Sequence, residues 1–185
     1  MIAVWTRALV YLLIVGGGWL VFLPAGIVLA EQGRWQPEFR EWPFAIAGGA
    51  LFVAGFGLAC FAGFYLIQFG RGTPLPLDPP RRLVVSGPYR FVRSPQAVAM
   101  VLMVVGEIVG IRSLAMVVLL PLTVASLELL VDPWEERQMT RDFGAEYECY
   151  AGLVKKWIPR MASKLNSAAR FSDGINRDDS NRETS

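Results

Sequence analysis

Residues 70–95, GRGTPLPLDPPRRLVVSGPYRFVRSP, interrupt a chain that is otherwise built of apolar runs. The stretch carries five arginines (71, 81, 82, 90 and 93), six prolines and a single acid, Asp78. Lipid offers such a backbone no hydrogen-bond partners, so it belongs in water or in a protein-lined cavity at a membrane surface. Pro74, Pro76, Pro79 and Pro80 cannot continue a helix and favour extended or turn backbone. Ser86-Gly87-Pro88-Tyr89 reads as a turn. Pro95 opens the next helix, where a missing N–H is tolerated.

Working outward, apolar runs occupy 8–30, 44–69, 96–110 and 114–131. The chain has 185 residues, 54% of them hydrophobic and 18% charged. These runs predict an all-α, integral-membrane helical bundle of about four transmembrane helices in one domain, 1–160. A signal peptide competes for the first run, because residues 28–30 resemble a small-residue cleavage site, but the run is longer than a signal core. Gly16-Gly17-Gly18 follows no strand and suits close helix packing. Gly55, Ala59 and Gly63 form a small-residue stripe on the second run, where another helix can approach. Residues 110–113 are a tight break that makes the last two runs an antiparallel pair.

Past the fourth run, Asp132 is expected to cap a helix, with Pro133 in its first turn and Glu135 placed for a capping box. That helix should stop near Phe143-Gly144. A second short cytoplasmic helix, 145–154, should bury Tyr147, Tyr150, Ala151 and Val154 on one face. Lys155-Lys156-Trp157-Ile158-Pro159-Arg160 reads as an interfacial anchor. Residues 161–185 have the composition of a disordered polar tail.

Lys and Arg concentrate in residues 70–95 and 132–160, whereas the other two loops carry only Arg34, Arg40 and Arg112. Four spans in a cytoplasmic membrane, with both termini in the cytoplasm, place both basic segments on the inner side. A net charge of +2 gives no argument for nucleic acid. The chain has no histidine, which excludes Ser-His-Asp and Cys-His catalysis and the usual His-based zinc sites; no metal ligands are expected. Cys60 and Cys149 should stand at different depths, so no disulfide is expected.

Arg90 and Arg93 flank Phe91-Val92 at the entry to the third run. They read either as anionic-lipid and topology residues or as a clamp for carboxylate or phosphate, which the planar guanidinium fits. Glu135 and Glu136 read as first-turn acids, each stabilising by about 0.3–1 kcal/mol. Together with two arginines they could also hold a zwitterionic amino-acid group. Glu107 is an acid inside an apolar run and raises a functional hypothesis by default, against surface solvation near the run's end; Glu128 sits similarly. Tyr89, Tyr147 and Tyr150 suit an interface or stacking on a flat ring.

Residues 72–95 (GTPLPLDPPRRLVVSGPYRFVRSP), Gly106-Glu107, and 134–160 (WEERQMTRDFGAEYECYAGLVKKWIPR) resemble the isoprenylcysteine carboxyl methyltransferase family, in particular its bacterial integral-membrane relatives. The resemblance implies an S-adenosylmethionine-dependent methyltransferase acting on a hydrophobic or membrane-embedded acceptor, an isoprenylcysteine carboxylate or a lipid. It implies a cofactor pocket formed by Tyr89, Arg90, Arg93, Ser94, Pro95, Glu135 and Glu136, with Arg93 and Glu135 as the catalytic residues. The family's element is Arg-His-Pro or Arg-Asn-Pro followed by a tyrosine; here Ser94 stands at its second position and Ala97 at the tyrosine. The polar cofactor would enter from the cytoplasm and the apolar acceptor laterally between helices. Two other readings remain: an NADPH-dependent membrane reductase of similar layout, and a non-catalytic protein keeping the scaffold with a degenerate cofactor site, which Ser94 and Ala97 feed. With native cysteines removed, Asp78→Cys and Arg34→Cys should label from opposite sides of the membrane; labelling from one side overturns the four-span order.

Overall fold

The computed structural model describes residues 18–30, 42–71, 80–112 and 114–159. Every regular element among them is helical. Residues 1–17, the loop 31–41, prolines 74, 76 and 79, Arg160 and the 161–185 segment lie outside the described residues.

Helix α1 spans Gly18–Ala30. Helix α2 is Trp42–Gly70 and α3 is Pro95–Ile111. The last apolar run forms α4, Leu114–Val117, and α5, Leu119–Ser126, followed by a π-helical segment, Leu127–Val131. It continues into α6, Asp132–Phe143, and ends in α7, Ala145–Leu153. The three runs 44–69, 96–110 and 114–131 are thus helical within a few residues of their expected bounds. Among the described residues, α2 is the one helix long and apolar enough by itself to cross a membrane; α1 and α3 are shorter apolar helices.

The breaks have local causes. Pro121 has no N–H to offer the carbonyl of Val117, and the helix is interrupted at Val118. Both π segments, Gly18–Phe22 and Leu127–Val131, end two residues before a proline, Pro24 and Pro133. Helix α6 begins at Asp132 with Pro133 in its first turn, as expected, but Asp132 is not its cap. Val131 keeps helical dihedrals (φ −78°, ψ −51°) and α6 has no side-chain cap. The wider π turn absorbs the donor that Pro133 lacks, so the chain runs on instead of starting anew.

The antiparallel pair is expected between the runs 96–110 and 114–131, but the main pairing of the third run is with the second. The longest helix contact joins α2 and α3. A Cβ at Gly48 would stand 2.5 Å from the carbonyl oxygen and the amide nitrogen of Gly106 and Gly110 respectively. One at Gly55 would stand 2.8 Å from the Ala99 carbonyl oxygen. Farther along, the Gln96 side-chain amide donates to the Ala59 carbonyl at 3.3 Å. Rising numbers on one helix meet falling numbers on the other, so the pair is antiparallel, and the stripe 55-59-63 extends back to Gly48.

A second cluster, Val104, Met116 and Leu119 with Leu20 and Ile27 beside them, docks α1 on α3 to α5. Inside it the Trp19 indole N–H donates to the Thr123 hydroxyl at 2.9 Å, and that hydroxyl donates to the Leu119 carbonyl at 2.7 Å. Phe44, Phe56, Phe61, Phe64 and Phe69 of α2 remain exposed. Lipid is the surrounding that such a face suits.

Gly48→Ala should destabilise the fold by about 1–3 kcal/mol through forced separation of α2 and α3. Gly49→Ala, with nothing within 4 Å of its Cβ, should gain roughly 0.5–1 kcal/mol. Thermal unfolding in maltoside detergent measures both; equal stabilities would show that the helices do not meet through Gly48.

Candidate functional site

The loop 80–94 is built to lie between two helical layers. At its start the amides of Arg81 and Arg82 both donate to the Gly70 carbonyl, at 2.8 and 3.2 Å, turning the chain back over the end of α2. Leu83, Val84 and Val85 then send successive side chains to opposite faces, the alternation that extended backbone produces. Val84 buries with Ala62 and Leu66 of α2, and Tyr89 joins that cluster. Val85, with Leu83 beside it, buries against Tyr147, Tyr150 and Val154. The expected buried face of α7 is therefore the loop's other wall. Gly87 takes φ +59° beneath the Tyr65 ring, where any Cβ would overlap that ring.

Hydrogen bonds fix the far end of the loop. The Tyr150 hydroxyl donates to the Tyr89 carbonyl at 2.6 Å. The amides of Arg93 and Ser94 donate to the carbonyls of Lys155 and Lys156, at 2.9 and 3.3 Å. Residues 155–158, expected only to anchor the chain at an interface, thus run alongside the start of α3. Glu128, on the π segment, fixes the same stretch: it accepts from the Trp157 indole N–H and stands 3.7 Å from the Lys156 ammonium.

The charged residues that the sequence brought forward meet here. The Arg93 guanidinium forms an ion pair with the Glu136 carboxylate, the two side chains being 17% and 46% exposed. The Tyr147 ring centroid is 5.7 Å from the Arg93 guanidinium carbon, within cation–π range. Burial pushes the Tyr89 and Tyr150 phenols far above their ordinary pKa, and the Glu135 charge adds to the rise in both. Arg90 stacks on Phe91, and its Nε is buried with no hydrogen-bond partner among the described residues. Ser94 precedes α3 without making a capping bond, and Pro95 is fully buried. Glu107 stays apart, on α3; one of its carboxylate oxygens is buried and has no hydrogen-bond partner among the described residues.

An open cleft of about 310 Å³ adjoins the ion pair, lined by Arg93, Ala151, Val154 and residues 155–158. That volume is at the lower end for small-ligand sites. The sequence raised Glu128 and Tyr150 as candidates and residues 155–158 as an anchor, but not the contacts that bring them together here. Two of these contacts run through backbone atoms, which leave no signal in residue type.

The family model described as phospholipid methyltransferase matches residues 44–146. The matched span holds α2, the loop, α3, Arg93, Glu135 and Glu136, and it ends before Tyr150 and residues 155–158. No curated protein and no solved structure gives a significant match.

Tyr150→Phe keeps the buried ring and removes the bond to Tyr89, which should cost about 0.5–1.5 kcal/mol at pH 7. Both phenols stay protonated in the fold, whereas an unfolded tyrosine ionises near pH 10. Their contribution is complete below about pH 10 and is lost as pH rises above it, because the unfolded chain then releases protons that the fold retains. Unfolding midpoints between pH 7 and 11 should show that alkaline loss, shallower in Tyr150→Phe; identical slopes would mean the hydroxyl is not buried.

Proposed function

Because the chain belongs to the phospholipid methyltransferase family, we propose that it transfers a methyl group from S-adenosylmethionine to a lipid-like acceptor at a membrane surface. The observation that carries this reading is the Arg93–Glu136 ion pair, which joins the loop to α6 inside the matched span and beside the cleft. The runs 8–30, 44–69, 96–110 and 114–131 are the bundle's spans in this reading, and the exposed phenylalanines of α2 face the acyl chains.

The residues present fit such a donor. An amino-acid end needs one cation for its carboxylate and one anion for its ammonium, and Arg93 and Glu136 supply one of each at a single point. The buried Nε of Arg90 is a further donor that no described residue satisfies. When bound, S-adenosylmethionine supplies a methyl group already activated as a sulfonium. Transfer by direct displacement then asks little of the protein beyond alignment and exclusion of water.

Arg93 is the orienting cation: its backbone N–H is held by the Lys155 carbonyl and its guanidinium lies over the Tyr147 ring. Glu136 takes the ammonium. Glu135, next to Glu136 on α6, is the acid we assign to accept a proton from an amine acceptor; a carboxylate acceptor would need no base. Neither tyrosine serves as that base. Burial keeps both phenols protonated at neutral pH, and Tyr150 uses its proton to hold the turn. Ser94 contributes through its backbone amide, so the change from the imidazole or amide of the resembled pattern leaves the turn intact.

Arg93→Ala, Glu135→Gln and Glu136→Gln should each weaken binding of S-adenosylmethionine by about 1.5–3 kcal/mol, the range for hydrogen bonds to charged groups. Arg137→Ala, an exposed position on α6, should leave it unchanged. Calorimetric titration of the purified chain in detergent measures all four. Equal small losses would move the pocket elsewhere, and an absence of binding by the parent would favour a scaffold without catalysis.

A further inference from the structure

Glu128 touches nothing in the proposed donor contacts, yet it is placed to control them. It stands on the π segment Leu127–Val131, between buried Leu127 and Leu129, which is 73% exposed. Single π turns joined to α-helices recur at functional sites. A carboxylate at the end of an apolar run is costly to leave alone. Glu128 has two partners, and both lie on one distant stretch: it accepts from the Trp157 indole N–H and stands 3.7 Å from the Lys156 ammonium.

That stretch has little else to hold it. Residues 154–159 form no regular element, so no helical or sheet ladder fixes them. Val154 is buried, but Lys155 is exposed and Trp157 only half-buried. The Lys155 and Lys156 carbonyls in turn accept from the amides of Arg93 and Ser94. The turn before α3 is thus tied at one end by the Tyr150 hydroxyl on the Tyr89 carbonyl, and at the other by a segment that Glu128 holds. Glu136 and the Tyr147 ring meet the Arg93 guanidinium, but neither fixes the backbone from which that side chain extends.

Magnitudes favour placement over stability as the role. The Lys156 and Glu128 side chains are 17% and 44% exposed, and an ion pair in such a setting adds little to global stability. The crossing of α2 on α3 does not involve it. A binding group that shifts loses affinity even in an intact fold, because alignment is what the site supplies.

We infer that Glu128 is a positioning residue for the site: through Trp157 and Lys156 it holds the backbone that presents Arg93 to the amino-acid end of the methyl donor. The inference rests on the methyl-transfer reading for the identity of the ligand, and not for the linkage itself.

The test uses the full chain in maltoside micelles with two readouts. One is hydrogen exchange at the Arg93 and Ser94 amides without ligand, resolved by fragmentation mass spectrometry. The other is calorimetric titration with S-adenosylhomocysteine, which carries the same amino-acid end as the donor. Glu128→Ala should speed exchange at both amides about tenfold and weaken binding about tenfold, equivalent to ~1.4 kcal/mol. Trp157→Phe, which keeps a ring and loses the N–H, should act in the same direction. Glu128→Gln retains an acceptor oxygen and should recover most of both losses. On an Arg93→Ala background, Glu128→Ala should bring no further loss of affinity. Glu148→Ala, at an exposed position on α7, should change neither readout. Unchanged exchange in Glu128→Ala overturns the inference, and so does faster exchange with affinity intact. A further loss on the Arg93→Ala background overturns it by showing a route other than Arg93. A lowered unfolding temperature with faster exchange throughout α6 and α7 overturns it by assigning Glu128 to the fold at large. No binding by the parent, beside an exchange response confined to Arg93 and Ser94, ends the methyl-transfer reading and leaves the linkage standing.

Discussion

Where α2 and α3 cross, Gly48 and Gly106 bring backbone against backbone, so close that one added Cβ would stand 2.5 Å from a carbonyl oxygen. The candidate site depends on that approach. It sets the antiparallel register, which brings the end of α2 at Gly70 beside the start of α3 at Pro95. The chain between those points then has to return within the width of one helix pair. The Gly70 carbonyl starts the return by accepting from Arg81 and Arg82. The same constraint spends the glycines. Gly70 and Gly110 are occupied by close packing, so the left-handed positions that end α2 and α3 fall to arginines instead, Arg71 at φ +54° and Arg112 at φ +55°. A residue with a side chain is held there at a cost of roughly 1–2 kcal/mol, which the buried helix contact must offset.

The returning loop transmits this register to the charges. Alternation at Val84 and Val85 lets one short piece close two apolar clusters, one on α2 and one on α7. α7 is turned onto the loop by Gly144, whose φ +52° and ψ −128° suit a residue without a side chain. Glu136 therefore faces Arg93 because of two things outside the pair: the helix crossing below and the aromatic face of α7 above. The π segment Leu127–Val131 contributes by carrying the fourth run into α6 without a stop, which sets the rotation at which Glu135 and Glu136 emerge.

Much of this was legible in residue type. Apolar runs marked the helices to within a few residues, since a run's length and its flanking prolines are local properties. The stripe Gly55, Ala59 and Gly63 marked the packing face of α2. Arginines 90 and 93 and the adjacent acids marked the charged center. The extent of membrane crossing was less legible: α3 and the broken fourth run are helical, but only α2 has both the length and the apolarity of a span among the described residues. The capping of α6 misled because Asp132-Pro133 is the chemistry of a helix N-terminus. A π turn can supply the same relief inside a continuous helix, and no residue type announces it. The placement of Lys155 and Lys156 beside the start of α3 was hidden for another reason. Their bonds to Arg93 and Ser94 use carbonyl oxygens, which every residue has.

The ion pair itself bears on how a ligand could enter. Arg93 is mostly covered, while Glu136 is half exposed to solvent. A pair in that setting contributes little net stability, because water competes for the exposed partner. Separating it is correspondingly inexpensive as long as neither charge is left alone. A zwitterion meets that condition: its carboxylate replaces Glu136 on the guanidinium while its ammonium replaces Arg93 on the carboxylate. The number of opposed charges at the site is unchanged, and the covered arginine is never left without a counter-charge. A ligand bearing only an anion would strand Glu136, and one bearing only a cation would strand Arg93 where it is least hydrated, the costlier of the two. The asymmetry in exposure therefore favours ligands with a carboxylate and an ammonium on one carbon.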